Sequence, residues 1–152
     1  MKYNTMTRIL ISACLFLLVA SSHAENLLMA RTKQTFPEAM SVLQETIHSM
    51  GYKVSRVQRI DIGLTSSGFA TDKYRVVFFS TEKDMHFISK NYPHLIPYMP
   101  WKISIFAEEQ DTLLVTANPM SFSNQKYPGA DKFLSKLKAD VEKILDILRN
   151  SE

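Results

Sequence analysis

Three histidines lie beyond residue 24, at His48, His86 and His94. They are the side chains best suited to proton or metal chemistry near neutral pH. No two of them have the i, i+4 or short-loop spacing that brings imidazoles onto one zinc ion. Six methionines lie in the same stretch: Met29, Met40, Met50, Met85, Met99 and Met120. Thioether is a soft ligand that suits copper. His86 follows Met85 and His94 precedes Met99, so His86, His94 and Met99 form the candidate set for copper or haem. Met40, Met50 and Met85, however, sit on apolar helical stripes, where methionine is ordinary filler. The expectation is therefore no cofactor.

Catalysis has less support still. There is no Gly-x-Ser-x-Gly elbow. Asp61, Arg75 and His86 would make a hydrolase-like site only if folding gathered them within hydrogen-bond reach. Glu108, Glu109 and Asp111 read as a solvated turn. The expectation is a protein that is not an enzyme.

Apolar residues in an unusual place are more informative. Pro93, Pro97 and Pro100 restrict the backbone through HLIPYMP, which reads as a stiff, extended loop. Leu95, Ile96, Tyr98, Met99 and Trp101 are too apolar for an ordinary solvated loop. Such residues cover a core, line a pocket or meet another chain. They are the candidate surface for an unknown protein partner or a small apolar ligand, in a non-catalytic binding or interaction module.

The ends and the composition bound the rest. Lys2 and Arg8 precede a twelve-residue apolar core, Ile9 to Ala20, and Ser22-His23-Ala24 offers small residues at a cleavage site. That is the pattern of a signal peptide over residues 1–24, cut near Ala24. The run is shorter than the roughly twenty residues a spanning helix needs. The expectation is a periplasmic or secreted protein that meets the membrane only through this cleavable segment. Residues 25–152 would then form one domain without the sole cysteine, Cys14. Removing Lys2 and Arg8 from the 18 basic residues leaves sixteen against 15 acidic ones. Near-neutrality gives no electrostatic case for nucleic acid.

The elements that would carry these residues can be read in order. Asn26 to Gln34 reads as an edge strand. Its ARTKQT portion also spells the extreme N-terminal tail of a core histone, although Thr35 already has a role as a helix cap. Thr35-Phe36-Pro37-Glu38 has the form of a capping box, and Phe36, Ala39, Met40, Leu43, Ile47 and Met50 follow with helical spacing until Gly51. Tyr52 to Ile62 reads as a strand with a bulge near Ser55-Arg56, and Gly63 to Asp72 as a loop. Lys73 to Ser80 reads as a central strand covered on both faces. Thr81 to Asn91 reads as a short helix. Trp101 to Ala107 and Leu113 to Ala117 read as a hairpin with a loop of about five residues. Leu134, Leu137, Val141, Ile144 and Leu148 mark an amphipathic helix over Asp131 to Arg149. The expected class is α+β. It would be a single two-layer domain, with a mainly antiparallel sheet of about five strands packed against two longer helices and one short helix.

This order, with Ile60-Asp61, the YRVVFF strand, the PWKISIF strand entered from a proline, an acidic turn and a closing Asn-Pro, resembles the domain-of-unknown-function 302 family from about Thr35 to Leu148. The resemblance implies a curved antiparallel sheet backed by helices, often associating as a homodimer, and no established activity. The family often has Gly-Asn-Pro or Cys-Asn-Pro after its central strand, where this chain has Phe79-Ser80-Thr81. Met99-Pro100 stands where Leu-Pro is usual. Any site built on the family's missing motif would be altered here.

Overall fold

The computed structural model describes residues 26–123 and 129–151. The leader read at residues 1–24 lies outside the described residues. Among the described residues, no helix is long and apolar enough to cross a membrane.

Five strands form one antiparallel sheet: β1 (Leu27–Thr32), β2 (Lys53–Arg59), β3 (Tyr74–Ser80), β4 (Trp101–Glu108) and β5 (Asp111–Ala117), in the order β1-β5-β4-β3-β2. Among the described residues, four α-helices accompany it: α1 (Phe36–Ser49), α2 (Ile60–Ser66), α3 (Glu82–Asn91) and α4 (Asp131–Asn150). The α+β class and the five antiparallel strands match the sequence-based expectation, with two long helices and a short third one where they were expected. The seven-residue α2 is an addition.

Local chemistry accounts for the ends of α1. The Glu38 carboxylate accepts from both the Thr35 N–H (3.0 Å) and the Thr35 hydroxyl (2.7 Å). These bonds hold Glu38 below the usual carboxylate range. At the other end, Tyr52 N–H donates to the Ile47 carbonyl and Gly51 N–H to the His48 carbonyl. That pair of bonds requires a left-handed residue, and Gly51 has φ +82.

Residue parity divides the sheet into two faces. Register pairs Val77 with Ile103, Phe79 with Trp101 and Ile105 with Leu114, and all six are buried. On this inner face they meet Ala39, Leu43 and Ile47 of α1, and Leu137, Val141, Ile144, Leu145 and Leu148 of α4. Each such side chain contributes about 1.5–3 kcal/mol when taken fully out of water. A second cluster of Ile88, Leu95, Ala130 and Leu134 ties α3 and the proline segment to the start of α4.

The outer face is different. Val76, Phe78, Tyr74, Phe106, Leu113 and Val115 belong to neither core cluster. β3 was expected to be covered on both sides; among the described residues the helices of the two core clusters pack on the Val77/Phe79 side, while Val76 on the other side is buried as well. The apolar run of β3 signalled two hydrophobic faces, and the sequence cannot show that the second meets no helix among the described residues.

Three other departures have local causes. β2 ends at Arg59 and the chain turns into α2, so Ile60 and Ile62 are helical rather than extended, and the first four residues of the expected 63–72 loop are helix. The bulge is where it was expected, as a register shift between Val54 and Arg56. The proline segment is a 3₁₀ helix over Pro93–Tyr98, not an extended loop. Proline's fixed φ suits a 3₁₀ helix, and Pro93 occupies the first turn, where no N–H is needed. The hairpin turn is Glu109-Gln110, because Glu108 pairs with Asp111 and Glu109 takes φ 53. Two-residue turns need such left-handed backbone, and nothing in Glu109 advertises it.

Tyr52 links the two long helices' neighbourhood to the sheet. It is buried, meets Phe79 edge-on at 5.3 Å, and donates to Asp140 on α4 at 2.6 Å. Burial first, and then the hydrogen bond to Asp140, push its phenol above the ordinary tyrosine value. A folded-state pKa raised above the unfolded one gives stability that is complete below pH ~10 and lost as the pH rises past it. Tyr52→Phe is expected to cost about 1 kcal/mol at neutral pH and to flatten the loss of stability above pH ~10. Urea denaturation at neutral and alkaline pH measures both effects, and an unchanged alkaline limb would refute the assignment.

Candidate functional site

The structure divides the five residues of the predicted contact surface. Leu95 and Trp101 are buried, Met99 packs against both core clusters, and only Ile96 (42%) and Tyr98 (45%) are open to solvent. The segment therefore covers the core with one side and presents two side chains with the other. A proline-rigid extended loop would have exposed more of it. In a 3₁₀ helix, Leu95 is turned inward as the anchor.

Tyr98 and Trp101 nevertheless share a cavity of about 210 Å³ with Lys102, Thr116, Ala117 and Phe122. Three elements build it. The 3₁₀ turn and the cis Met99-Pro100 peptide deliver Tyr98 and then Trp101 at the start of β4. β5 returns beside β4 and brings Thr116 and Ala117. A second 3₁₀ turn, Pro119–Phe122, follows Asn118, whose side chain accepts from Met120 N–H, and brings Phe122 to the lining.

The rings contact one another. Tyr98 lies 4.2 Å from Phe122 between centroids, and Trp101 meets Phe122 edge-on at 5.7 Å. Trp101 Nε1–H donates to Thr116 Oγ1 at 3.1 Å, and the Thr116 hydroxyl donates to the Lys102 carbonyl at 2.7 Å. The buried polar atoms of the wall thus satisfy one another, as buried polar groups must. What remains is an apolar, aromatic hollow with a lysine on its lining. The sequence signalled Tyr98 and Trp101, and it missed Phe122, Thr116, Lys102 and Ala117. Phe122 lies in a four-residue turn with no periodicity to mark it.

The other sequence candidates are dispersed. His86 is exposed on α3, and His94 sits in the 3₁₀ helix against the Tyr92 ring at 6.2 Å. Met99 is engaged in core packing. Among the described residues, no three His, Cys, Asp or Glu side chains are grouped to hold a metal ion.

Asp61 and Arg75 do meet. They form an ion pair with each side chain 14% exposed. The Asp61 carboxylate also accepts from Ile62 N–H at 2.9 Å, and the Arg75 guanidinium lies over the Phe36 ring at 5.8 Å. Arg75 beside it is the main cause holding the Asp61 carboxyl below its ordinary value. Asp61 also borders an open depression of about 570 Å³ with Ile62, Thr65, Ser66, Thr71, Asp72 and Lys73. His86 does not join the pair. It follows the far end of β3, whose seven residues span about 20 Å.

The outer sheet face is the remaining apolar feature. Tyr74 and Phe106 are register partners there, with rings 5.9 Å apart, and Leu27 (50%) and Met29 (55%) on β1 are half exposed. A cluster of Arg31 with Glu108 and Asp111, joined by Lys33, closes one end of it.

No curated protein matches the chain. Among solved structures, the crystal structure of an uncharacterized conserved protein DUF302 from Bacillus stearothermophilus superposes with a TM-score of 0.76 at 14% identity, covering 83% of this chain and 100% of that one. At that identity the likeness establishes the fold. The family described as "Domain of unknown function DUF302" matches residues 29–148, so it takes in most of β1 as well as the region from Thr35 onward that prompted the resemblance. The chain belongs to the DUF302 family.

Proposed function

We propose that this protein is an exported, non-catalytic binding module whose ligand pocket is the hollow walled by Tyr98, Trp101 and Phe122. The observation that carries the reading is that three aromatic rings converge on about 210 Å³ of space while the polar atoms behind them are already hydrogen-bonded. Such a lining receives an apolar group and has nothing positioned to break a bond. Export is supported by the leader pattern of residues 1–24. Trp101 is the only tryptophan, so its emission reports on the pocket directly. Titration with small aromatic compounds is expected to shift that emission. Phe122→Ser is expected to weaken binding about tenfold or more, as loss of an aromatic wall costs over 1.4 kcal/mol. Emission that no apolar ligand moves would defeat the reading.

A homodimer is a second reading, favoured by the outer sheet face. Five strands about 4.8 Å apart and about 20 Å long give about 480 Å² per copy, so a face-to-face pair would bury about 1,000 Å², at the lower end of specific interfaces. Phe106→Glu, on the middle strand of that face, is expected to convert a dimer to a monomer in analytical ultracentrifugation. A wild-type protein that sediments as a monomer at all concentrations would exclude the pairing.

A further inference from the structure

We infer that the corner of the molecule between β2 and β3 docks on an anionic lipid surface. This contact is independent of the pocket. It also differs from the leader expected at residues 1–24, because it belongs to the folded domain. Two separate observations coincide there.

The first is apolar content that the fold leaves outside. α2 carries Ile60, Ile62 and Leu64 in seven residues, yet none of its residues is buried. Ile60, Asp61 and Leu64 share the side turned to the protein, where Asp61 meets Arg75, and they are partly shielded. Ile62 lies off that side and is 48% exposed. Gly68, at φ +86, ends the helix, and Phe69 N–H donates back to the Leu64 carbonyl at 3.0 Å. Phe69 is thereby held beside α2 with 65% of its surface in solvent, the most exposed large apolar side chain among the described residues. From Ile62 to Thr71 there is no charged residue.

The second is charge. Residues 53–75 hold Lys53, Arg56, Arg59, Lys73 and Arg75 against Asp61 and Asp72. Taking these five and two from the sixteen basic and 15 acidic residues leaves 11 against 13 in the rest of 25–152. A nearly neutral domain is thus positive at this corner. Asp61 and Arg75 neutralise each other. Arg59, just before α2, and Lys73, just before β3, are exposed, as is Arg56 about 10 Å back along the edge strand β2.

Interfacial segments combine these two features. Apolar side chains enter the boundary between headgroups and acyl chains, and Lys and Arg beside them meet the phosphates. The seven-residue α2 is far too short to span a bilayer, so the contact lies on its surface. Other exposed apolar residues lack the positive surplus. Leu27 and Met29 stand near Arg31 and Lys33, which Glu108 and Asp111 offset. Phe87 is on α3, where Glu82 and Asp84 offset Lys83 and Lys90.

The test is sedimentation with vesicles of phosphatidylcholine, alone or mixed with an equal part of phosphatidylglycerol. Both core clusters lie within the described residues, so the protein used is residues 25–152, and the apolar run Ile9 to Ala20 cannot itself bind lipid. Binding to the mixed vesicles is expected to be at least tenfold tighter at low salt, and to weaken as salt is added. Phe69→Ser is expected to weaken it about tenfold without moving the urea midpoint. Arg59→Gln is expected to weaken it about fivefold. Lys143→Gln, on α4 beside the opposite edge strand, is expected to leave it unchanged. Residues 25–152 contain no cysteine, so an environment-sensitive dye can be placed at Ala70→Cys alone. Its emission is expected to shift to the blue on mixed vesicles, and that of a dye at Lys143→Cys to stay in place. Failure to sediment with the mixed vesicles overturns the inference. So does wild-type binding by Phe69→Ser, an equal loss in Lys143→Gln and Arg59→Gln, or an unmoved dye at position 70.

Discussion

Replacing Phe79 by alanine is expected to cost about 3–5 kcal/mol, the range for deleting a fully buried aromatic side chain. Phe79 has no solvent exposure, pairs in register with Trp101 and holds Tyr52 edge-on at 5.3 Å. The cavity would open between the sheet and α1, where Leu43 and Ile47 are also fully buried and cannot easily close in. Domains of this size are stable by about 5–15 kcal/mol, so the variant is expected to sit near the edge of folding. Phe78 is the internal control. It is the adjacent residue, it is only half-buried, and it faces the opposite side. Phe78→Ala is expected to cost about 1 kcal/mol. Urea midpoints for the two variants give the comparison, and equal losses would contradict the division of the sheet into a face packed on the long helices and one that meets no helix among the described residues.

The second large effect is at the Asp61–Arg75 pair. At 14% exposure each, the two side chains lie between the surface pairs, worth about 0–1 kcal/mol, and fully buried ones, whose breakage costs about 3–5. Arg75→Ala is expected to cost about 2 kcal/mol, because it strands a shielded carboxylate and removes the cation from the Phe36 ring. Asp61→Asn in the same chain is expected to restore part of that loss, since no unpaired charge then remains. The pH dependence follows from the sign of the shift. Asp61 is held below its ordinary value, so its contribution is whole above pH ~4 and disappears as the pH falls through the folded-state pKa. Asp111, lowered first by Lys33, acts in the same direction. Stability of the wild-type protein should therefore fall on acidification below pH ~4, and less steeply in Asp61→Asn. If that variant keeps the wild-type acid limb, the pair is not what acid disrupts.

These effects belong to the scaffold. The pocket, by contrast, sits at the end of the sheet where β4 begins and β5 finishes, beside two 3₁₀ turns. It depends on the scaffold for position, and its substitutions are expected to alter binding more than folding. Phe122 is only partly buried, and Lys102 is exposed. Trp101 is the exception, since it is both pocket wall and core.

The amino-acid order alone determined the elements whose signals are local. Thr35 and Glu38 start α1 and Gly51 stops it, because cap, first turn and left-handed residue lie within one stretch of chain. The three-four spacing from Leu134 to Leu148 made α4 legible, and all five residues of that stripe are buried. The alternation of Trp101, Ile103 and Ile105 gave β4 its inner face. Tertiary structure decided whatever depends on neighbours distant in sequence. Periodicity says that a face is apolar but not which layer packs on it, so it could not be read that one side of β3 and β4 meets no helix among the described residues. Ile60 and Ile62 have strand-like composition, yet their segment turns helical where Asp61 meets Arg75. The pocket is the extreme case. Tyr98 and Trp101 could be picked out by their apolar setting, but Thr116 and Phe122 join them only because β5 returns antiparallel to β4, a pairing written in the hydrogen bonds of the folded sheet and in no short run of residues.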